Sequence, residues 1–184
     1  MKKAWFNASA TMMMLVLAGF AAGCLIAQTD EFKVTFGKDG KSAQLTIVRR
    51  NVQSDQKEPA KQLDDFKGLI RNWKEDGYIL DKCKEGTPLK DRSLSLEDGM
   101  LVWRETLLIP DFREFIKKSV VNDTLVIQIG REDLVVETNG TVGNDKGKIS
   151  VSWPLGKTQE LFLKIKKADF KPASDFARRF SEKS

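Results

Sequence analysis

Histidine is absent from the 184 residues, and tyrosine occurs once. The first absence removes the commonest general base and the commonest metal ligand together. A serine nucleophile would then need lysine as its base. The one Ser-x-x-Lys spacing, Ser54 to Lys57, falls in a polar stretch ahead of Pro59, outside any helix turn that could align the pair, and reads as solvated loop. Cysteine is nearly as scarce: Cys24 and Cys83 are too few for a disulfide framework. Cys83 stands between Lys82 and Lys84, which favours a thiolate, but no histidine is available to activate it, so it reads as structural. Asn144-Asp145-Lys146-Gly147 is too short for a calcium loop. Asp64 and Asp65 are adjacent on an expected helix, so their side chains diverge toward water, and Glu132-Asp133 reads as a turn. No glycine-rich phosphate loop precedes a helix. These absences leave no catalytic residue, no metal and no cofactor to expect.

What is present begins at the N-terminus. Lys2 and Lys3 precede a stretch without charge that lasts until Asp30, with an apolar heart over residues 12–20. A basic start, a short apolar core and the small residues Ala21, Ala22 and Gly23 describe a secretory signal peptide over residues 1–23. Ala21-Ala22-Gly23-Cys24 resembles the lipobox of bacterial lipoproteins, with Ala21 where leucine is usual. The resemblance implies cleavage before Cys24, diacylglycerol on its sulfur and acylation of its new amino group. It also implies a lipid-anchored address on the cell membrane or outer membrane, facing the periplasm or exterior. Leu25 in place of aspartate after the cysteine implies the outer membrane in a diderm cell. Two alternatives stand beside this: cleavage after Gly23 or Ala27 to give a plain secreted protein, or an uncleaved span over residues 4–27.

Removing 23 residues leaves 161, enough for one domain with a core. Loss of Lys2 and Lys3 leaves 29 basic residues against 26 acidic ones, a net charge of +3. The charges are interleaved along the chain, the pattern of a solvated surface, and nucleic acid is not an expected partner.

Along that mature chain, residues 24–30 read as lipidated cysteine and tether, 31–167 as a single domain and 168–184 as a charged tail. Phe32, Val34 and Phe36 alternate, Asp39-Gly40 turns the chain, and Ala43, Leu45 and Ile47 answer: a hairpin. Residues 51–58 read as polar loop. Pro59 opens a helix whose apolar face is Leu63, Phe66, Ile70 and Trp73, with Gly77 at its C-terminal cap. Residues 78–83 read as a short strand. Leu94 and Leu96, a turn at Asp98-Gly99 and residues 100–109 form a second hairpin, and Asp111 starts a short helix running through Val121. Strands follow at 124–130, 134–139, 148–153 and 159–167. The fold class expected is α+β: an antiparallel sheet built from hairpins, with two short helices packed on it.

Several of these features in order resemble the domain of LppM-type bacterial lipoproteins: the lipobox, the opening hairpin, a helix ending in Gly77-Tyr78, and Asn139-Gly140 followed by Trp153-Pro154-Leu155. The resemblance covers residues 24 to about 167 and implies an envelope lipoprotein domain with no defined reaction. The C-terminal transmembrane helix frequent in that family is not expected from residues 168–184, which read as a charged tail.

The remaining clue is aromatic. Trp73, Trp103 and Trp153 read first as core residues and second as contacts to a ligand or partner. Phe176 and Phe180, at i, i+4 spacing in the tail, read as packing or as a partner contact. The function expected is a non-enzymatic binding or assembly module, held to a membrane through lipid on Cys24, with an envelope protein or lipid as partner. The alternative is a carrier holding a lipid or small apolar ligand in a cavity between helix and sheet, lined by Phe66, Ile70, Trp103 and Trp153. An enzyme restricted to carboxylates, such as a glycan hydrolase, comes third.

Overall fold

The computed structural model describes residues 25–38, 40–74, 89–111, 120–121, 123–129, 135–145, 148–166, 170–171 and 175–182. Its class is α+β: antiparallel sheets with two helices. The alternating segments form strands because one face of each can be buried while the other stays wet. In chain order they are β2 (Thr29–Phe36), β3 (Ala43–Arg50), β5 (Leu89–Glu97), β6 (Met100–Ile109), β8 (Thr124–Ile129), β9 (Val135–Thr138), β11 (Lys148–Pro154) and β12 (Gln159–Lys166). Short strands β1 (Leu25–Ile26), β4 (Gln53–Ser54), β7 (Val120–Val121) and β10 (Thr141–Asp145) complete the set.

Six strands make the larger sheet, in the order β5-β6-β3-β2-β12-β9, and four make the smaller, β10-β11-β8-β7. Among the described residues, β2–β3 and β5–β6 are hairpins in the expected places, while β7–β8 and β10–β11 are hairpins that were not expected. The turn at Asp98-Gly99 carries positive φ at both residues, 51° and 74°, as a two-residue hairpin requires. The sheets are not built from hairpins alone, however. β3 pairs β6, β2 pairs β12 and β8 pairs β11 across long stretches of chain, because each strand's apolar face needs a neighbour of matching parity.

Helix α1 (Pro59–Lys74) starts at the expected proline and buries Gln62, Phe66 and Leu69. Its buried stripe is turned slightly from the expected one: Leu69 is fully covered, while Ile70 and Trp73 lie at the flank. Among the described residues the second helix is α2 (Phe176–Ser181), in the tail, and Val120 and Val121 are not the end of a helix. Val120 and Val121 instead pair with Leu125 and Thr124, closing a tight β7–β8 turn through Asp123, whose φ is 56°. Gly77, the strand expected over 78–83 and most of the helix expected after Asp111 lie outside the described residues.

Residues 25–30 differ most from expectation. They are not a tether: Leu25 and Ile26 pair with Ser54 and Gln53, and Thr29 begins β2. Leu25 and Ala27 are 9% and 0% exposed. The supposed loop after Asn51 is the other half of that small sheet, with Ser54 wholly buried.

Two apolar clusters form the core. In the first, Phe32, Val34, Phe36, Leu45, Leu107 and Leu163 of the larger sheet meet Leu125, Ile127, Val151 and Trp153 of the smaller one. In the second, Leu25, Ala27, Val52, Leu101 and Trp103 meet Phe66 and Leu69 of α1 and Phe176 of α2.

Candidate functional site

On β6 the inward residues are Leu101, Trp103, Glu105, Leu107 and Ile109, all of one parity and all at most 5% exposed. Leu101 and Trp103 belong to the cluster under the helices, while Leu107 and Ile109 belong to the cluster between the sheets. Glu105 sits between them. The neighbouring strands also place charge on this inward face. β3 runs Ala43, Leu45, Ile47, then Arg49, and β2 runs Phe36, Val34, Phe32, then Asp30.

The register brings these charges together. Asp30, Arg49, Trp103 and Leu94 lie side by side across four strands, and Phe32, Ile47, Glu105 and Arg92 form the next row. The result is a polar belt at the seam of two apolar clusters. Arg49 donates from Nε to Asp30 Oδ1 at 3.0 Å, with side chains only 7% and 15% exposed. Its guanidinium also lies over the Trp103 ring, 5.7 Å from the centroid. Arg92 covers Trp73 at 5.2 Å, and the two indoles meet edge to face at 5.3 Å.

Glu105 is the odd member. It is 1% exposed, and among the described residues no partner meets either carboxylate oxygen at full hydrogen-bond geometry. Burial pushes its carboxyl up to about 7; the Trp103 indole N–H, Arg49 and Arg92 pull the other way and only partly offset it. Near neutral pH this buried acid is therefore divided between its protonated and ionised forms. Such a group can bind, release or donate a proton, and in the fold it is shut away from solvent. Sequence reasoning missed it, although the signal was present: a lone glutamate at the apolar parity of an alternating strand.

The aromatic residues singled out from the sequence divide between the clusters. Trp73 and Trp103 come together with Phe176 and Phe180, whereas Trp153 stands in the other cluster against Phe36, at 5.7 Å between centroids. The lining suggested for a ligand cavity is thus split, Phe66, Ile70 and Trp103 on one side of the belt and Trp153 on the other. Phe176 is fully buried against Phe66, at 5.2 Å, which is the packing role. Cys24, Cys83 and Glu132-Asp133 lie outside the described residues. Ser54 donates to Asp65 and accepts the Gln56 backbone N–H at 3.1 Å; Lys57 is exposed. Asp65 therefore turns inward and only Asp64 faces water, because the buried Ser54 hydroxyl needs an acceptor. Asn144 and Asp145 belong to strand β10. Among the described residues, no group of three His, Cys, Asp or Glu is placed to hold a metal ion.

Asn139-Gly140 is where the chain passes from the larger sheet to the smaller. Asn139 Oδ1 accepts from the Trp153 indole at 2.8 Å and from the Glu160 backbone at 2.9 Å, while its Nδ2 donates to the Thr158 carbonyl at 3.0 Å. A Cβ on Gly140 would collide with the Trp153 indole and sit 2.7 Å from the Ser152 carbonyl oxygen. The spacing of Asn-Gly and Trp is therefore a structural corner.

Beyond that corner, β10 is an edge of the smaller sheet, bonded among the described residues only to β11. Residues 141–144 are exposed, and Val142, at 54%, is the most exposed of the large apolar residues described. No lysine, proline or bulge guards this edge over residues 141–144. No helix among the described residues is long and apolar enough to cross a membrane.

No family model matches the chain, and neither a curated protein nor a solved structure is significantly similar to it.

Proposed function

We propose that this chain is a lipid-anchored envelope lipoprotein whose domain is a non-enzymatic binding or assembly module, engaging an envelope protein by strand addition at β10. The open β10 edge with Val142 is the observation that supports this most. An unguarded edge offers a row of backbone donors and acceptors, and a partner strand would satisfy them while covering the valine. Lipobox-like residues 21–24 and the resemblance to LppM-type domains supply the membrane address in this reading.

The test is crosslinking of the membrane-anchored protein in its own envelope, followed by recovery of adducts. A photoreactive residue at Val142 should capture a specific protein, and Val142→Lys should abolish that adduct while leaving the fold intact. Native mass spectrometry of the purified protein tests the carrier alternative. A stoichiometric bound lipid, with no protein captured at β10, would replace the module by a carrier.

A further inference from the structure

The N-terminal anchor and the fold leave no spacer between them. Leu25 pairs with Ser54, so the chain is already in a sheet one residue after Cys24. Consecutive Cα atoms are about 3.8 Å apart, which fixes how far Cys24 can stray from this point. The attachment is firm. Leu25 and Ala27 are buried in the cluster under the helices, and Ser54, 0% exposed, bonds both Asp65 of α1 and the Gln56 N–H. Gln62 Nε2 then donates to the Gln56 carbonyl at 2.8 Å, clamping the 55–58 loop onto α1.

Resting on the reading of Cys24 as lipidated, we infer that the rim made by the 55–58 loop and the first turn of α1 lies against the bilayer, in one orientation imposed by the missing spacer. The occupant is the membrane that carries the anchor. Charge does not supply this contact: Asp55, Lys57, Glu58 and Lys61 are all exposed and balance in sign, with Lys61 bonded to Glu58 at 2.9 Å. A balanced rim draws nothing from anionic headgroups, so the orientation is covalent in origin and indifferent to salt. The opposite end of the molecule points away. Gln159 pairs with Phe36, and the Gly156 N–H donates to the Lys38 carbonyl at 2.9 Å. That end lies about 25 Å along β2 from Thr29, at ~3.3 Å per residue. Lys157 is exposed there.

The experiment places a photoreactive residue at Lys61 or at Lys157 in the full chain, expressed in native membranes, and reads lipid adducts alongside palmitate incorporation. Lys61 should give lipid adducts and Lys157 none above background, at both low and high salt. A Gly/Ser insert of about twenty residues between Cys24 and Leu25, with a reach of roughly 25 Å, should abolish the difference. Equal labelling at Lys61 and Lys157 in palmitate-bearing protein without the insert overturns the fixed orientation and leaves the anchor standing. Protein carrying no palmitate overturns the anchor and the orientation with it.

Discussion

The cluster between the sheets and the cluster under the helices share one face of the larger sheet, yet they admit different chemistry. The first is assembled from strands whose inward side chains are almost all aliphatic or aromatic, and its one indole N–H is bonded to Asn139. The second draws on distant pieces of chain, residues 25–27, Val52, α1, β6 and α2, and borders the belt of Asp30, Arg49, Arg92 and Glu105. A strand-only core can be closed by parity alone. Where helices must cover a sheet of fixed width, the seam between the two layers is left to groups that no apolar side chain replaces, and local rules are broken there. The first region reads as stability, the second as the place where stability is conceded.

Truncation in the first cluster should have the largest effect. Trp153→Ala removes the indole that meets Phe36 and the Asn139 bond, and should lower unfolding free energy by about 3–5 kcal/mol in a denaturant titration. A loss under about 1 kcal/mol would mean that the sheets do not pack as described.

Glu105 should come next, with the opposite sign. Its carboxyl is raised in the fold to about 7 from 4.5, so the folded chain holds the proton longer than the unfolded one. Stability is then unpenalised below about pH 4.5, falls as pH rises toward 7, and stays lower above it, by about 3 kcal/mol in full. Glu105→Gln should be more stable than the natural protein at pH 8, by up to about 3 kcal/mol, with the gap shrinking toward pH 5. Parallel denaturation curves for the two proteins across that range would show that the carboxyl is solvated and the belt open.

Trp73→Ala should cost less than the Trp153 change, about 1–2 kcal/mol, because Trp73 is half-buried and its partner Trp103 keeps its other neighbours. Equal losses at Trp73 and Trp153 would erase the difference between the clusters. Smallest of all is Val142→Lys, which should change stability by under about 0.5 kcal/mol while removing the β10 adduct. A marked loss of stability would mean that the valine is covered within the monomer.

Strong alternation made much of the larger sheet legible: residues 100–109 were expected as a strand and form β6 over that range. Pro59 marked the start of α1, and the i, i+4 spacing of Phe176 and Phe180 falls on α2. The strands that escaped reading are short or built of small and polar residues, β1, β4 and β10, where no period can develop. Order within the sheets escaped it too, since β3–β6 and β2–β12 join segments far apart in the chain. Of the candidate site, Trp73 and Trp103 were picked out as aromatic clues. Glu105, Arg49 and Asp30 were overlooked because a charged residue next to an apolar run was credited to the wet face, and only strict parity counting puts it inside.

The place of β2 in the sheet has a mechanical meaning. It carries the chain in from the N-terminus and lies between β3 and β12, with eight residue pairs on either side. A pull along the chain from that end meets only two pairs at β1, which can peel one after another. It then loads both ladders of β2 in shear, where the bonds lie across the line of force and must yield together. A tug on the N-terminus is thereby met at the middle of the sheet and not at a margin.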